Sequence, residues 1–271
     1  MAESLTTRLR IRPRQRVKLA RHDPDFTGAF QGKAEVKSAT KKNVERLFDL
    51  QYKMYAENKH SLLVVLQAMD TAGKDGLIRH VMTGMNPQGC RVVPFKKPSE
   101  KEFDHEYLWR IHQAVPPKGE VGIFNRSHYE DVLVVRVHDL VPKSVWSKRF
   151  EQINRFEHYL AENGVTIVKF FLHISKDEQK KRLEARLKDP LKRWKFSVGD
   201  LAERKHWNEY MLAYEEVLSK CSTPWAPWYV IPANAKWFRN YAVSQILVET
   251  LNRLRMSWPK VTFDPKKIKV V

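Results

Sequence analysis

The chain of 271 residues suits one α/β domain of the larger kind, or at most two, and can bury a substantial core. Its 42% hydrophobic and 11% aromatic content describes a globular protein, and no apolar run approaches the roughly 20 residues that a membrane span needs. A formal net charge of +18 draws polyanions, nucleic acid by default, but any long phosphate chain meets the same electrostatics through counterion release.

In chain order, residues 1–38 form a basic N-terminal arm without the apolar centre of a secretory signal. Pro13 and the downstream "DPDFTGAF" fit an ordered surface arm better than an arginine-rich presequence. Residues 40–58 space Val44, Leu47, Phe48, Leu50, Tyr52 and Met54 like a helix, and "SLLVVLQ" (61–67) is a short strand buried on both faces. A tight loop and a helix over Leu77–Met82 follow, then a second strand near "CRVVPF". Ser99, with Glu102 at the capping-box position, predicts a helix running to about Ala114. "EVGIFNRS" (120–127) is a third strand, and a helix over 143–162 stops at Asn163-Gly164. A fourth strand (165–174), a helix capped by Ser175, a basic segment, a helix from about Asp200 to Lys220, a fifth strand (228–233) and a final helix complete the alternation. Residues 259–271 read as a tail. Strands separated by helices predict a parallel sheet with helices on both faces, and binding at the carboxyl ends of its strands. Cys90 and Cys221 lie far apart and form no C-x-x-C, as for two ordinary core thiols in a reducing cytoplasm.

Three stretches carry chemistry. "AMDTAGKDG" (68–76) is a phosphate-loop pattern altered at both ends: Ala68 replaces the first glycine, and Asp75 replaces the Ser or Thr that usually reaches Mg²⁺. Ala72, Gly73, Asp75 and Gly76 shape a turn into a helix N-terminus, where Lys74 completes a phosphate site, while Asp70 adds a carboxylate inside the loop. In "IFNRSHYEDVLVVRVHDL" (123–140), Asn125 and Arg126 stand just beyond a strand end, and the Arg126 fork can clamp a phosphoryl group. Asp131 is the expected Mg²⁺ ligand with Glu130 its rival, whereas His128 reads as a packing or hydrogen-bonding residue. Third, Arg182, Arg186, Lys188, Lys192, Arg193 and Lys195 surround Pro190, as in a movable basic lid over phosphates.

Taken together, "MDTAGKDG", "FNRSHYEDVLVVRVH", "DPLKRWKFS" and "STPWAPWYVIPANAKWFRN" resemble the family-2 polyphosphate kinases over residues 10 to 257. The resemblance implies a P-loop kinase fold, a five-stranded parallel sheet flanked by helices with a helical lid at about 182–198. It implies phosphoryl transfer between inorganic polyphosphate and ADP/ATP, and AMP in the subgroup this chain is most similar to. The implied metal is Mg²⁺, with Mn²⁺ the alternative, held by Asp70 and Asp131 beside Lys74 and Arg126. Arg186, Lys192, Arg193 and Lys195 match the basic lid, and a cytoplasmic homo-oligomer, dimer or tetramer, is the expected assembly. Two other readings compete: a nucleoside monophosphate kinase using ATP, which hardly requires +18, and a nucleic-acid-binding protein with a degenerate loop. The latter predicts aromatics interleaved with the basic residues for base stacking. "PWAPWYVIP" instead sits at a strand.

Overall fold

A computed structural model describes residues 3–270; residues 1, 2 and 271 of the predicted arm and tail lie outside the described residues. A short helix α1 (Leu5–Leu9) leads to α2 (Lys33–Glu57), β1 (Ser61–Ala68), α3 (Lys74–Val81), β2 (Cys90–Pro94), α4 (Glu100–Phe103) and α5 (Trp109–Ala114). Next come β3 (Val121–Asn125), α6 (Val134–Val137), α7 (Lys143–Glu162), β4 (Val165–His173) and α8 (Lys176–Lys188). The chain closes with α9 (Val198–Lys205), α10 (Trp207–Cys221), β5 (Trp228–Pro232) and α11 (Lys236–Arg253). All five strands run parallel in the order β2-β3-β1-β4-β5, so the sheet is the one that the alternation predicts.

β1 lies at the centre, with Val64 opposite Ile123 of β3 and Val168 of β4, and all eight of its residues are buried. That burial explains why the strand reads as a continuous apolar run rather than an alternating one. α11 packs on α2 and α3, while α7 packs on β4 and α10. The chain leaves β1 for β3 and β2 on one side and returns to β4 and β5 on the other. The crevice at this switch point, outside the carboxyl ends of the strands, is where such sheets bind ligands.

Several boundaries differ from the sequence expectation. α2 begins at Lys33 because Glu35 Oε1 accepts from the N–H groups of Gln31 (2.7 Å) and Gly32 (2.9 Å), a cap that the sparse apolar spacing before Val44 conceals. The helix expected from Ser99 to Ala114 breaks in two. Its capping box forms, with Ser99 N–H donating to Glu102 Oε2 at 2.7 Å, but Glu106 then accepts from Leu108 N–H at 2.7 Å and turns the chain between α4 and α5. The helix from about Asp200 to Lys220 also divides, at His206, whose N–H bonds to Glu203 O three residues back.

The arm is less superficial than expected. Ile11 N–H donates to Trp228 O at 2.9 Å, Arg10 bridges Tyr229 antiparallel, and Leu9, Ile11, Val17 and Leu19 are buried. The arm thus covers the open edge of β5, which an exposed strand would otherwise offer to other chains. Cys221 is a buried core thiol, whereas Cys90 is half-buried on the edge strand β2.

Candidate active site

β1 ends at Ala68, and the five residues Met69–Gly73 turn the chain into α3. The turn requires left-handed backbone at Thr71 (φ 66°) and Gly73 (φ 99°), and Arg126 after β3 is left-handed too (φ 64°). Such conformations at Thr71 and Arg126 cost of order 1–3 kcal/mol each and persist where the surroundings fix them. Here the two strained loops face each other: Asp70 Oδ1 accepts from Arg126 Nη2 at 3.2 Å, and Asp75 Oδ1 accepts from Asn125 Nδ2 at 2.9 Å. Arg126 N–H is in turn held by Leu66 O of β1 at 3.1 Å. The predicted residues Asp70, Lys74, Asp75, Asn125 and Arg126 therefore converge.

Lys74 Nζ lies 3.3 Å from Ala68 O. Burial pulls its pKa down and Arg126 adds to that, against the carboxylates of Asp70, Glu130 and Asp75. Burial pushes the Glu130 carboxyl up, Asp70 adding its like charge, while Arg126 and Lys74 pull it back. Burial also works against the Arg126 charge, but Glu130 and Asp70 outweigh it and raise its pKa. The result is a compact set of two carboxylates, one ammonium and one guanidinium, walled by Tyr214 of α10, which senses the same charges.

Asp131 does not belong to this set. Residues His128–Asp131 form a tight helical turn capped by Ser127 Oγ, and in such a turn successive side chains point about 120° apart. Glu130 faces Lys74 and Arg126, whereas Asp131 accepts from Arg149 Nη1 (3.3 Å) and lies 4.0 Å from Arg110 Nη2. Its carboxyl is nevertheless pushed up to about 6 by burial, which the two guanidiniums only partly offset. Of the two acids that the sequence offers as metal ligands, Asp131 first and Glu130 as its rival, Glu130 thus faces the loop and Asp131 faces away. Among the described residues no three His, Cys, Asp or Glu side chains gather as a metal cluster. Asp70 and Glu130 still offer two hard oxygen donors beside a phosphate loop, a set that suits a divalent cation completing its shell with phosphate oxygens and water.

The profile of the family described as Polyphosphate kinase 2 matches residues 31–258. The chain belongs to the polyphosphate kinase 2 family. A protein of Meiothermus ruber named AMP/ADP-polyphosphate phosphotransferase is 56% identical over 261 residues, covering 96% of this chain and 97% of its own. An ADP-polyphosphate phosphotransferase of Rhodopseudomonas palustris is 46% identical, covering 95% of this chain and 93% of its own. The crystal structure of Polyphosphate Kinase 2 from Arthrobacter aurescens superposes with a TM-score of 0.94 at 48% identity, covering 98% of this chain and 95% of that one. The five-stranded parallel sheet and its helices are thus the P-loop kinase-like α/β fold of the polyphosphate kinase 2 family.

In this family member the basic segment after α8 stands largely in solvent, and Arg186 near the end of α8 reaches it. Arg186 donates to Lys195 O (3.2 Å) and pairs with Asp200 (3.3 Å), Lys192 pairs with Asp189, and Arg193 Nε donates to Leu187 O (2.8 Å). Lys195 Nζ lies 4.9 Å from the centre of the Trp194 ring. Asp200 is coupled to the site: burial raises its carboxyl pKa and Asp70 adds to that, against Arg186 and Arg126.

Two residues that the sequence does not single out as loop supports hold the phosphate loop from behind. Arg182 donates to Thr71 O and Ala72 O (both 3.1 Å), and to Ala233 O (2.6 Å) and Asn234 O (2.8 Å) after β5. Arg239 of α11 donates to Ala72 O at 3.0 Å. Arg182, predicted as a lid cation, is thus a buried strut. A Cβ at Gly73 would come within 2.1 Å of Arg239 Nη1, whereas one at Gly76 would meet Arg239 Nη2 at an ordinary 3.6 Å. Gly73→Ala is therefore expected to destabilise the protein by about 2 kcal/mol through backbone strain and the displaced guanidinium. Gly76→Ala, inside α3, is expected to stabilise it by about 0.5–1 kcal/mol. Urea unfolding of the two variants checks the pair; equal behaviour would contradict the geometry.

Behind the Arg126–Asp131 loop lies a buried network. Lys169 of β4 pairs with Glu157 of α7, donates to Tyr129 Oη (2.8 Å) and to Cys221 O (2.7 Å), and His128 bonds Glu157 at 3.2 Å. His128 is the hydrogen-bonding residue that the sequence predicts. Apart from His128 Nδ1, every polar tip here has a partner inside the fold, so the network anchors the loop that aims Arg126 and Glu130.

Proposed function

We propose that the chain transfers phosphoryl groups between inorganic polyphosphate and adenine nucleotides, ADP to ATP and AMP to ADP, reversibly and with Mg²⁺. The observation that carries this reading is the convergence of Asp70, Lys74, Arg126 and Glu130 on one altered phosphate loop in a member of this family. A terminal phosphate oxygen of the acceptor nucleotide forms a bond to the end phosphorus of the polymer. The P–O bond to the rest of the chain breaks, and a shortened polyphosphate leaves with the electron pair. The acceptor is already ionised, so no strong general base is needed. Lys74 and Arg126 stabilise the charge on the moving phosphoryl group, and their positions are set before substrate arrives. Asp70 and Glu130 would hold Mg²⁺, which when bound would offset the repulsion between donor and acceptor phosphates. Mn²⁺ satisfies the same donors.

In this reading the whole chain is one kinase-like domain, residues of about 182–198 with the exception of the buried Arg182 act as its lid, and residues 259–271 are a tail. Leu191, Trp194 and Val198 are 84%, 78% and 77% exposed, which suits a segment that closes over a bound chain. No helix of the described residues is long and apolar enough to cross a membrane. A cytoplasmic homo-oligomer, dimer or tetramer, belongs to the same reading. The exposed rings of Phe48 and Tyr52 on α2, stacked at 6.2 Å, with Trp258 5.7 Å from Tyr52, support it as an apolar contact face. Sedimentation at micromolar concentration checks that assembly; a monomer throughout would remove it.

Incubation with ADP and polyphosphate as sole donor tests the function, ATP being the expected product. Lid handling is tested separately. Arg193→Ala with Lys195→Ala removes two cations that have no carboxylate partner among the described residues. The pair is expected to raise KM for polyphosphate and to flatten its logarithmic salt dependence by about 1.5 units, since the slope counts neutralised phosphates. An unchanged slope would move the polymer path elsewhere, the N-terminal arginines being the next candidates.

A further inference from the structure

Arg239 presents an unusual arrangement for a buried cation. It is only 2% exposed, and its guanidinium bonds Ala72 O (3.0 Å) and the Asn240 side chain (2.9 and 3.2 Å), with no carboxylate in ion-pair reach among the described residues. A buried charge is ordinarily paired, because isolation from water is costly. A second guanidinium, that of Arg182, donates to the same Ala72 oxygen at 3.1 Å, so two positive charges share one acceptor. Burial, with repulsion from Arg182 added to it, pulls the Arg239 pKa down to about 10, yet leaves it protonated near neutrality. Gly73 exists in this setting to clear the Arg239 fork.

The Ala72–Gly73 peptide explains the use of such an arrangement. In a trans peptide the C=O and the following N–H point in opposite directions. Fixing Ala72 O against two guanidiniums therefore aims Gly73 N–H away from them, as a phosphate donor at the start of α3. We propose that Arg239, assisted by Arg182, is a positioning residue for phosphoryl transfer: it locks the Ala72–Gly73 peptide in its phosphate-binding orientation, and the bound phosphate chain is its counter-ion. This rests on the phosphate-loop reading above and adds to it a residue from α11 that touches no substrate.

The test compares the full-length wild type with Arg239→Met and Arg239→Lys in two measurements. Thermal unfolding is followed with and without tripolyphosphate, and steady-state kinetics are measured with ADP and polyphosphate. Arg239→Met is expected to unfold in the absence of ligand within a few degrees of wild type, since it also removes an unpaired buried charge. Its tripolyphosphate-induced rise should shrink to less than half, and kcat should fall by about thirtyfold or more while KM for ADP stays within about twofold. Arg239→Lys should restore the tripolyphosphate-induced rise, because charge returns, but little of kcat, because an ammonium lacks the fork that holds Ala72 O. A purely structural strut would instead lower the ligand-free midpoint and leave the ligand-induced rise intact; that outcome, or a kcat within threefold of wild type, overturns the proposal. Should wild type make no ATP from polyphosphate, the functional reading fails, while the tripolyphosphate shifts still decide the role of Arg239.

Discussion

Lys74→Ala is expected to lower kcat for ATP formation from ADP and polyphosphate by about 10²–10³-fold, with the fold intact. The ammonium makes one long hydrogen bond among the described residues, 3.3 Å to Ala68 O, so little native structure depends on it. Its charge, by contrast, is held in place by Asp70, Glu130 and Asp75 against the pull of burial. A preorganised cation in a partly dry site stabilises developing phosphoryl charge far better than water does, and losing one such donor typically costs about 3–4 kcal/mol of barrier. Circular dichroism should match wild type while turnover collapses. Turnover within tenfold of wild type would mean that this loop is not where transfer occurs.

The second large effect separates three carboxylates. Asp70→Asn and Glu130→Gln are each expected to lower kcat by about 10²-fold at fixed Mg²⁺ and to shift half-saturation by the metal upward, with partial rescue at high Mg²⁺. Asp131→Asn should keep kcat within about threefold, since Asp131 faces Arg149 and Arg110 rather than the loop. Its signature lies in stability. An ordinary aspartate titrates near 3.8 and Asp131 near 6, so between those values the native state binds a proton that the unfolded chain does not. That contribution favours folding at low pH and is lost as pH rises through about 6, with an upper limit near 3 kcal/mol at about 1.4 kcal/mol per pH unit. Asp131→Asn should flatten the wild-type loss of stability between pH 4.5 and 7 in urea titrations. If Asp131→Asn silences turnover and Glu130→Gln does not, the placement of the metal ligands is reversed.

Much of this was legible in the residues. Five strands, their parallel pairing and the loop residues Asp70, Lys74, Asp75, Asn125 and Arg126 follow from apolar runs and from where polar residues interrupt them. Pattern could not choose between Glu130 and Asp131, because neighbours in one tight turn differ only in direction, and direction is set by the Ser127 cap. Arg182 reads as one of several lid cations because the sequence does not show which carbonyls a helix face will meet. Arg239 lies 166 residues beyond Gly73, in an ordinary helical pattern; the glycine's need for space was the one trace it left. Helix breaks at Glu106 and His206 leave no mark in the sequence because each arises from a local hydrogen bond and not from proline or glycine.

The most direct measurement starts from metal-free protein with polyphosphate as sole phosphoryl donor, in parallel tubes of ADP and of AMP. Mg²⁺ is added at time zero and all three adenine nucleotides are followed by chromatography. ATP should accumulate from ADP only after Mg²⁺ enters, more slowly as salt screens the charged polymer, and the AMP tube should show ADP rising and then passing into ATP. No ATP from ADP and polyphosphate at any salt or with Mn²⁺ in place of Mg²⁺, together with phosphorylation of AMP when ATP is supplied instead, would contradict the account.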